Sequence, residues 1–315
     1  MKRNGLGLLA LCSLLTACGG SNDGLTSTPP PPPPPAAPFP LAATSSFQTI
    51  TGKLSYNGVA QENFSGLGNA TLSTLDIAGR SSDVTFSYDA SSGTYTVQGS
   101  GAPMAFTAAN AVATTDYRKV YGVTQGAVSD AIALYGNVQA NNTATAPVEL
   151  SYTSYGLWIH TDNLVSQTTN TYFLYGQPTG AANMPTSGTA TYQMTVAARA
   201  LETVAVPSQI STLSGTATLS ANFGTGTVDT NLSFTGRTFT YSGTGPITGD
   251  QFSGTFSSAD PTFVRGGFNG GFFGPGAKEA GYTFQMIRYN PDPYAGAAVS
   301  AVNTYITGVA VGPKK

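Results

Sequence analysis

The sequence predicts an all-β protein, and three observations carry the prediction. Apolar and polar residues alternate with a period of two, as in Val84-Thr85-Phe86-Ser87-Tyr88 and Ala190-Thr191-Tyr192-Gln193-Met194. Clusters of Gly, Asn, Asp, Ser and Pro interrupt these runs at short intervals, as turns between strands do. Only 9% of residues are charged, against about 25% in an ordinary soluble domain. Exposed strand faces must therefore be built from Ser, Thr and Asn. The sequence holds no heptad repeat and no long amphipathic helix.

The first segment is a leader. Lys2 and Arg3 precede an apolar run of eleven residues, Gly5 to Leu15, too short for a bilayer span of about 20 residues. It ends in Leu15-Thr16-Ala17-Cys18, the lipobox pattern of bacterial lipoproteins. Residues 1–17 are expected to be removed and Cys18 to be lipidated; the alternative is an ordinary secretory signal with an incidental cysteine. Gly19 follows where an aspartate would favour the inner membrane, so the outer membrane is the expected location. Cys12 is lost with the leader, which leaves no thiol for a disulfide, a nucleophile or a cysteine metal site. Without Lys2 and Arg3 the chain keeps 11 basic and 15 acidic residues, a charge near −4. That balance excludes a nucleic-acid footprint and a polybasic membrane patch.

Residues 18–46 read as a flexible, Pro-rich linker. Pro29 to Pro35 are seven consecutive prolines, and polyproline II at about 3.1 Å per residue makes them a spacer of roughly 20 Å. A stiff stalk is the expected role, with a ligand for a proline-binding module as the alternative.

Residues 47–183 form a β-rich region. Val84, Phe86 and Tyr88 lead into the turn Asp89-Ala90-Ser91-Ser92-Gly93, and Tyr95 and Val97 return, which is a hairpin. Residues 120–139 give no clear pattern. Strand patterns resume over Leu150–Tyr155, Leu157–His160 and Thr171–Tyr175. Residues 184–315 are more regular, with strands expected near 189–196, 214–222, 226–235, 238–244, 250–257, 264–273, 281–288 and 303–311. Eight antiparallel strands suffice to close a small barrel filled by its own side chains. Three features favour a soluble barrel over a membrane-spanning one: the lipid anchor, an end in Pro313-Lys314-Lys315 rather than a terminal aromatic residue, and the lack of paired aromatic girdles.

One segment is distinctive: Phe268-Asn269-Gly270-Gly271-Phe272-Phe273-Gly274-Pro275-Gly276-Ala277-Lys278-Glu279-Ala280-Gly281-Tyr282-Thr283-Phe284. It reads as a strand, a Gly-Pro-Gly corner, a short charged loop and a second strand. Phe272, Phe273, Gly274, Pro275, Ala277, Glu279 and Gly281 resemble the barrel signature of transferrin-binding protein B lobes, with Ala280 in place of a usual glycine. Met184-Pro185 with Gly188–Tyr192, and Ser214–Leu219 with Asn222-Phe223-Gly224, resemble the first strands of the same barrel. The resemblance implies one lobe, an N-terminal β-rich handle followed by a C-terminal eight-stranded barrel. It also implies a non-enzymatic outer-membrane lipoprotein that binds a ligand or protein, as an accessory to iron or metal acquisition. The alternative is a structural or passive envelope lipoprotein without a specific ligand. The expected partners are a membrane, through the N-terminal lipid, and a host or nutrient-carrier protein or an outer-membrane receptor. The chain has one lobe and short, uncharged loops where transferrin-binding protein B has two lobes and long, charged ones, so no binding residues carry over.

Catalytic chemistry has little to draw on. His160 is the single histidine, and no Gly-x-Ser-x-Gly elbow accompanies it. Beside Trp158 on one strand face it reads as a packed or rim aromatic. Glu279 reads as a capping carboxylate for backbone N–H groups rather than a catalytic one. Tyr152, Tyr155, Tyr172 and Tyr175 read as core or cross-strand aromatics, with a surface lining haem or a siderophore as the alternative. No catalytic residue, cofactor or metal site is expected.

Overall fold

The structure, a computed structural model, describes residues 38–58, 69–115, 118–135, 138–139, 148–203, 208–289 and 302–315. The leader, the lipobox with Cys18 and the polyproline run lie outside the described residues. The first sheet contains β1 (Ser45–Gly58), β2 (Ala70–Asp89), β3 (Thr94–Gln98), β4 (Met104–Phe106), β5 (Ala111–Thr115), β6 (Arg118–Gln125) and β7 (Val128–Tyr135). A separate two-residue pair follows, β8 (Val138–Gln139) with β9 (Val148–Glu149). Strands β10 (Thr153–Asp162) and β11 (Gln167–Gly176) complete the first sheet, whose order is β4-β3-β2-β1-β11-β10-β7-β6-β5.

This is the handle sheet. It curls around an aromatic cluster of Phe86, Phe106, Phe173, Tyr175, Tyr95 and Tyr121, and its β4 and β6 approach each other. Phe39 and Leu41, within the stretch read as linker, pack on the same cluster, with the Phe39 ring 5.5 Å from Tyr175. Both are apolar and lie beside a large apolar cluster, so burial holds them there. The expected hairpin joins β2 to β3, with Tyr88 opposite Tyr95 and Phe86 opposite Val97. The Asp89 carboxylate accepts from Ser91 and Ser92, and Gly93 has φ 66°. The unclear stretch near 120–139 contains the hairpin β6–β7. In β7 the run Ala131-Ile132-Ala133-Leu134 packs on both faces, so its alternation disappears.

The second sheet closes as an eight-stranded antiparallel barrel. Its strands are β12 (Thr189–Glu202), β13 (Gln209–Asn222), β14 (Thr227–Phe234), β15 (Thr240–Thr248), β16 (Gln251–Ser258), β17 (Phe263–Phe273), β18 (Glu279–Tyr289) and β19 (Val302–Pro313). Neighbours pair in sequence order, and β19 returns to β12. Ala190, Tyr192, Met194 and Val196 point inward and are buried, as the alternation requires. Tyr282, Phe268, Phe272, Phe284, Phe252 and Phe256 fill the centre. On β13 to β16 the outward positions carry Thr216, Ser220, Asn231, Ser242, Thr244, Thr255 and Ser257. An apolar interior and a hydroxyl-covered exterior are the reverse of a lipid-facing barrel.

Handle and barrel pack through Ile50, Tyr155, Tyr172 and Leu174 on one side and Phe273, Val309 and Val311 on the other. Polar bonds cross the same junction: Thr283 Oγ1 donates to the Thr51 carbonyl at 2.9 Å, and Arg199 Nη1 to Asn170 Oδ1 at 2.9 Å.

Candidate functional site

The signature segment builds the junction between the two sheets. Phe272 points into the barrel, with its ring 5.0 Å from Phe252 and 5.5 Å from Phe223. Phe273 points the other way, into the cluster between the sheets, where the Arg80 guanidinium lies 5.5 Å over its ring. The chain turns through Gly274 (φ 72°), Pro275, Gly276 (φ 64°) and Ala277 (φ 56°). Positive φ accounts for both glycines. Buried Ala277 is held in that region by its carbonyl, which accepts the Tyr192 hydroxyl at 2.6 Å. A Cβ at Gly281 would stand 3.0 Å from Leu174, so the glycine lets β18 approach the handle.

Glu279 is 2% exposed and does cap backbone N–H groups, but not those of its own turn. Oε1 accepts from Ser151 at 2.6 Å; Oε2 accepts from Tyr152 at 2.9 Å and Thr153 at 2.8 Å. A barrel carboxylate thus holds the start of handle strand β10. Burial raises its pKa and the three N–H bonds lower it, with a net upward shift.

Tyr152, Tyr155 and Tyr172 belong to the cluster between the sheets, and Tyr175 belongs to the aromatic cluster of the handle. Tyr155, Tyr172 and Tyr175 are buried, and burial pushes their phenols upward. Tyr152 lies against Gly274, with the Lys278 ammonium 5.3 Å over its ring.

His160 and Trp158 lie on the concave side of the handle and share one acceptor. Trp158 Nε1 donates to Asp130 Oδ1 at 2.7 Å, and His160 Nδ1 lies 2.9 Å from the same oxygen. The His160 side chain is 40% exposed and that of Asp130 only 1%. Asp130 Oδ2 is buried and has no hydrogen-bond partner. Sequence reasoning missed Asp130; it comes opposite His160 only through the β7–β10 register.

The two ends of the molecule differ. At the entry end the Phe39 N–H donates to the Ser151 carbonyl at 3.2 Å, next to the Glu279 clamp. At the far end the Ala70 N–H donates to Ser208 Oγ at 2.9 Å, tying handle to barrel there too. This far end carries four of the five large apolar side chains exposed among the described residues. Leu164 (82%) and Val165 (63%) crown the β10–β11 turn, while Phe239 and Val264 flank the β14–β15 and β16–β17 connections. Exposed Arg237 lies in the β14–β15 connection, and exposed Arg265 follows Val264 on β17.

Residues 184–305 match the family model described as C-lobe and N-lobe beta barrels of Tf-binding protein B. No curated protein matches the chain. Among solved structures it is similar to a transferrin-binding protein B double mutant from Haemophilus parasuis Hp5, at 17% identity and TM-score 0.46, covering 85% of this chain and 45% of that one. The chain thus spans under half of that protein's length. It is also similar to a structure described as a surface lipoprotein, at 12% identity and TM-score 0.43, covering 85% and 99% of the two chains. HpuA from Kingella denitrificans, in complex with human haemoglobin, is similar at 16% identity and TM-score 0.40, covering 89% and 90%.

Proposed function

From a barrel of the transferrin-binding protein B type in residues 184–305, we propose a lipid-anchored binding protein of the outer membrane that captures a host or nutrient-carrier protein for iron acquisition. The observation that carries this reading is the polarity of the molecule. The segment that follows the anchor enters the fold at Phe39, at the Glu279 end. The exposed Leu164, Val165, Phe239 and Val264 lie at the opposite end of the fold. The reading contains no catalytic step. In its support, His160 pairs with Asp130 and Glu279 uses both oxygens on backbone N–H groups.

The test uses the full-length lipoprotein in detergent with transferrin and haemoglobin, the proteins that the similar structures bind by name. One of them should be retained with a Kd near or below about 1 μM. The double variant Leu164→Asp, Phe239→Asp should weaken that binding by about 30-fold, as removal of a docking hot spot does, with its melting temperature unchanged. If neither carrier binds, a passive envelope lipoprotein takes the place of this reading. Deletion should then alter envelope integrity and leave growth under iron limitation unaffected.

A further inference from the structure

We propose that the entry end of the fold seats on an anionic lipid surface through Lys278, Lys314 and Lys315, with Arg118 and Lys119 beside them. No basic run marks the sequence; the fold gathers these cations from separate segments. The Lys314 N–H donates to the Lys278 carbonyl at 2.8 Å, which extends the β18–β19 ladder past Glu279 and Pro313 and sets the two lysines opposite each other. The Lys315 N–H donates to the Thr191 carbonyl at 2.9 Å, so the next lysine is tied to β12. Like charges directly opposite in a ladder are destabilising, and the backbone bonds keep these from drawing apart. Arg118 and Lys119 open β6 at the same end, opposite Tyr135 and Leu134. The Tyr135 carbonyl accepts from Ser154 Oγ, one residue past the Thr153 N–H that Glu279 holds. The Arg118 guanidinium lies 5.8 Å over the Tyr135 ring and the Lys278 ammonium 5.3 Å over that of Tyr152, and both rings border the cluster between the sheets.

These cations are exposed, and among the described residues the other exposed Lys and Arg side chains are Arg237 and Arg265 at the far end. None of them forms an ion pair with a described carboxylate. Carboxylates of this end are engaged elsewhere: Glu279 with backbone N–H groups, Asp250 with Arg80 at 2.8 Å, and Asp89 with Ser91 and Ser92. Unpaired cations gathered at one end of a chain that is acidic overall favour an anionic partner. Two features favour a lipid surface over an acidic protein. The cations lie where the chain enters at Phe39, so acylation at Cys18 would hold this end at high effective concentration over the membrane. Four of them are lysines, point charges that suit a fluid array of headgroup phosphates, whereas the arginine fork suits a fixed geometry.

The inference adds a second membrane contact to the anchor and does not rest on capture of a carrier. Its test removes the acyl chains: the processed chain with Cys18→Ser and no affinity tag is sedimented with vesicles. It should bind vesicles of phosphatidylcholine with phosphatidylglycerol and not those of phosphatidylcholine alone. Binding should vanish near about 1 M salt, where the screening length falls to about 3 Å. Each cation near an anionic surface contributes about fivefold. The triple variant Lys278→Gln, Lys314→Gln, Lys315→Gln should therefore bind about 100-fold more weakly, with an unchanged or raised melting temperature. Arg237→Gln with Arg265→Gln at the far end should bind as the parent does. Equal binding to both kinds of vesicle, or equal losses in the two variants, would overturn the assignment. So would release by inorganic phosphate at an ionic strength where chloride leaves the protein bound, since that result marks a discrete phosphate site instead of a lipid surface.

Discussion

The barrel and the handle are antiparallel sheets of similar size, eight strands and nine, but they treat their inner faces differently. The barrel pairs its first strand with its last and fills the enclosed space with aromatic rings. Tyrosine hydroxyls of its interior are matched there: Tyr282 Oη lies 3.0 Å from Thr230 Oγ1, and the Tyr241 hydroxyl donates to Asp260 at 3.1 Å. The handle curls without closing, and β4 and β5 remain its edges. Half of its concave face is an aromatic core; the other half holds Asp130, His160, Thr169 and Ser55 in one cross-strand row. Closure removes both edges and interior space, which suits a scaffold. A sheet left open can keep a partly satisfied polar group such as Asp130, and such groups concentrate where proteins bind.

The widest separation between the two regions should come from one truncation in each. Phe268 is fully buried, with its ring 5.1 Å from Phe256 and 5.5 Å from Tyr282. Phe268→Ala should cost about 3–5 kcal/mol in urea unfolding. His160→Ala removes one of the two donors to Asp130. It should cost about 1–3 kcal/mol in the same measurement. If His160→Ala cost as much as Phe268→Ala, the contrast between a closed, filled barrel and an open, partly satisfied handle would be wrong.

The junction offers a finer comparison at one corner. Gly274 and Gly276 both have positive φ, but a Cβ at 274 would lie 2.6 Å from the Tyr152 ring of the handle, whereas one at 276 meets nothing within 4 Å. Valine at 276 should therefore cost the backbone strain alone, about 1 kcal/mol, and valine at 274 roughly 3 kcal/mol. Thermal unfolding of the two variants measures the difference. Equal losses would mean that the corner is tight by backbone geometry only and does not press on the handle.

These cases also mark what could be read from the sequence. All eight barrel strands were legible, because each has one face inward and one outward and turn residues separate them. The β12 strand runs on to Glu202 rather than ending near Val196, because Arg199 and Leu201 of its outward face are covered by the handle. Strand β7 was not legible, since a strand covered on both faces loses its alternation. The Glu279 cap was legible as a role but not in its partners, which lie 126 to 128 residues away in sequence. The His160 reading stopped at Trp158 for the same reason. Asp130 is 30 residues upstream and becomes a neighbour only when β7 and β10 pair in register. Local patterns report which face a residue occupies; they do not report what lies across the ladder.

The smallest predicted effect asks how barrel and handle are held together, and pH isolates it. Burial raises the Glu279 carboxyl pKa above its ordinary value, and the N–H bonds from Ser151, Tyr152 and Thr153 only partly offset this. The folded protein therefore binds that proton more tightly than the unfolded chain, whose carboxyl titrates near about 4.3. Between the unfolded value and the raised folded one the native state holds more protons, so this group's contribution to stability falls as pH rises through that window. Glu279→Gln keeps one acceptor oxygen and cannot ionise, so it contributes no such slope. The difference in unfolding free energy between wild type and Glu279→Gln should change between pH 4 and pH 7, with wild type losing ground as pH rises. A difference that moved the other way would mean that the three N–H groups outweigh burial, and that an ionised carboxylate is what binds barrel to handle.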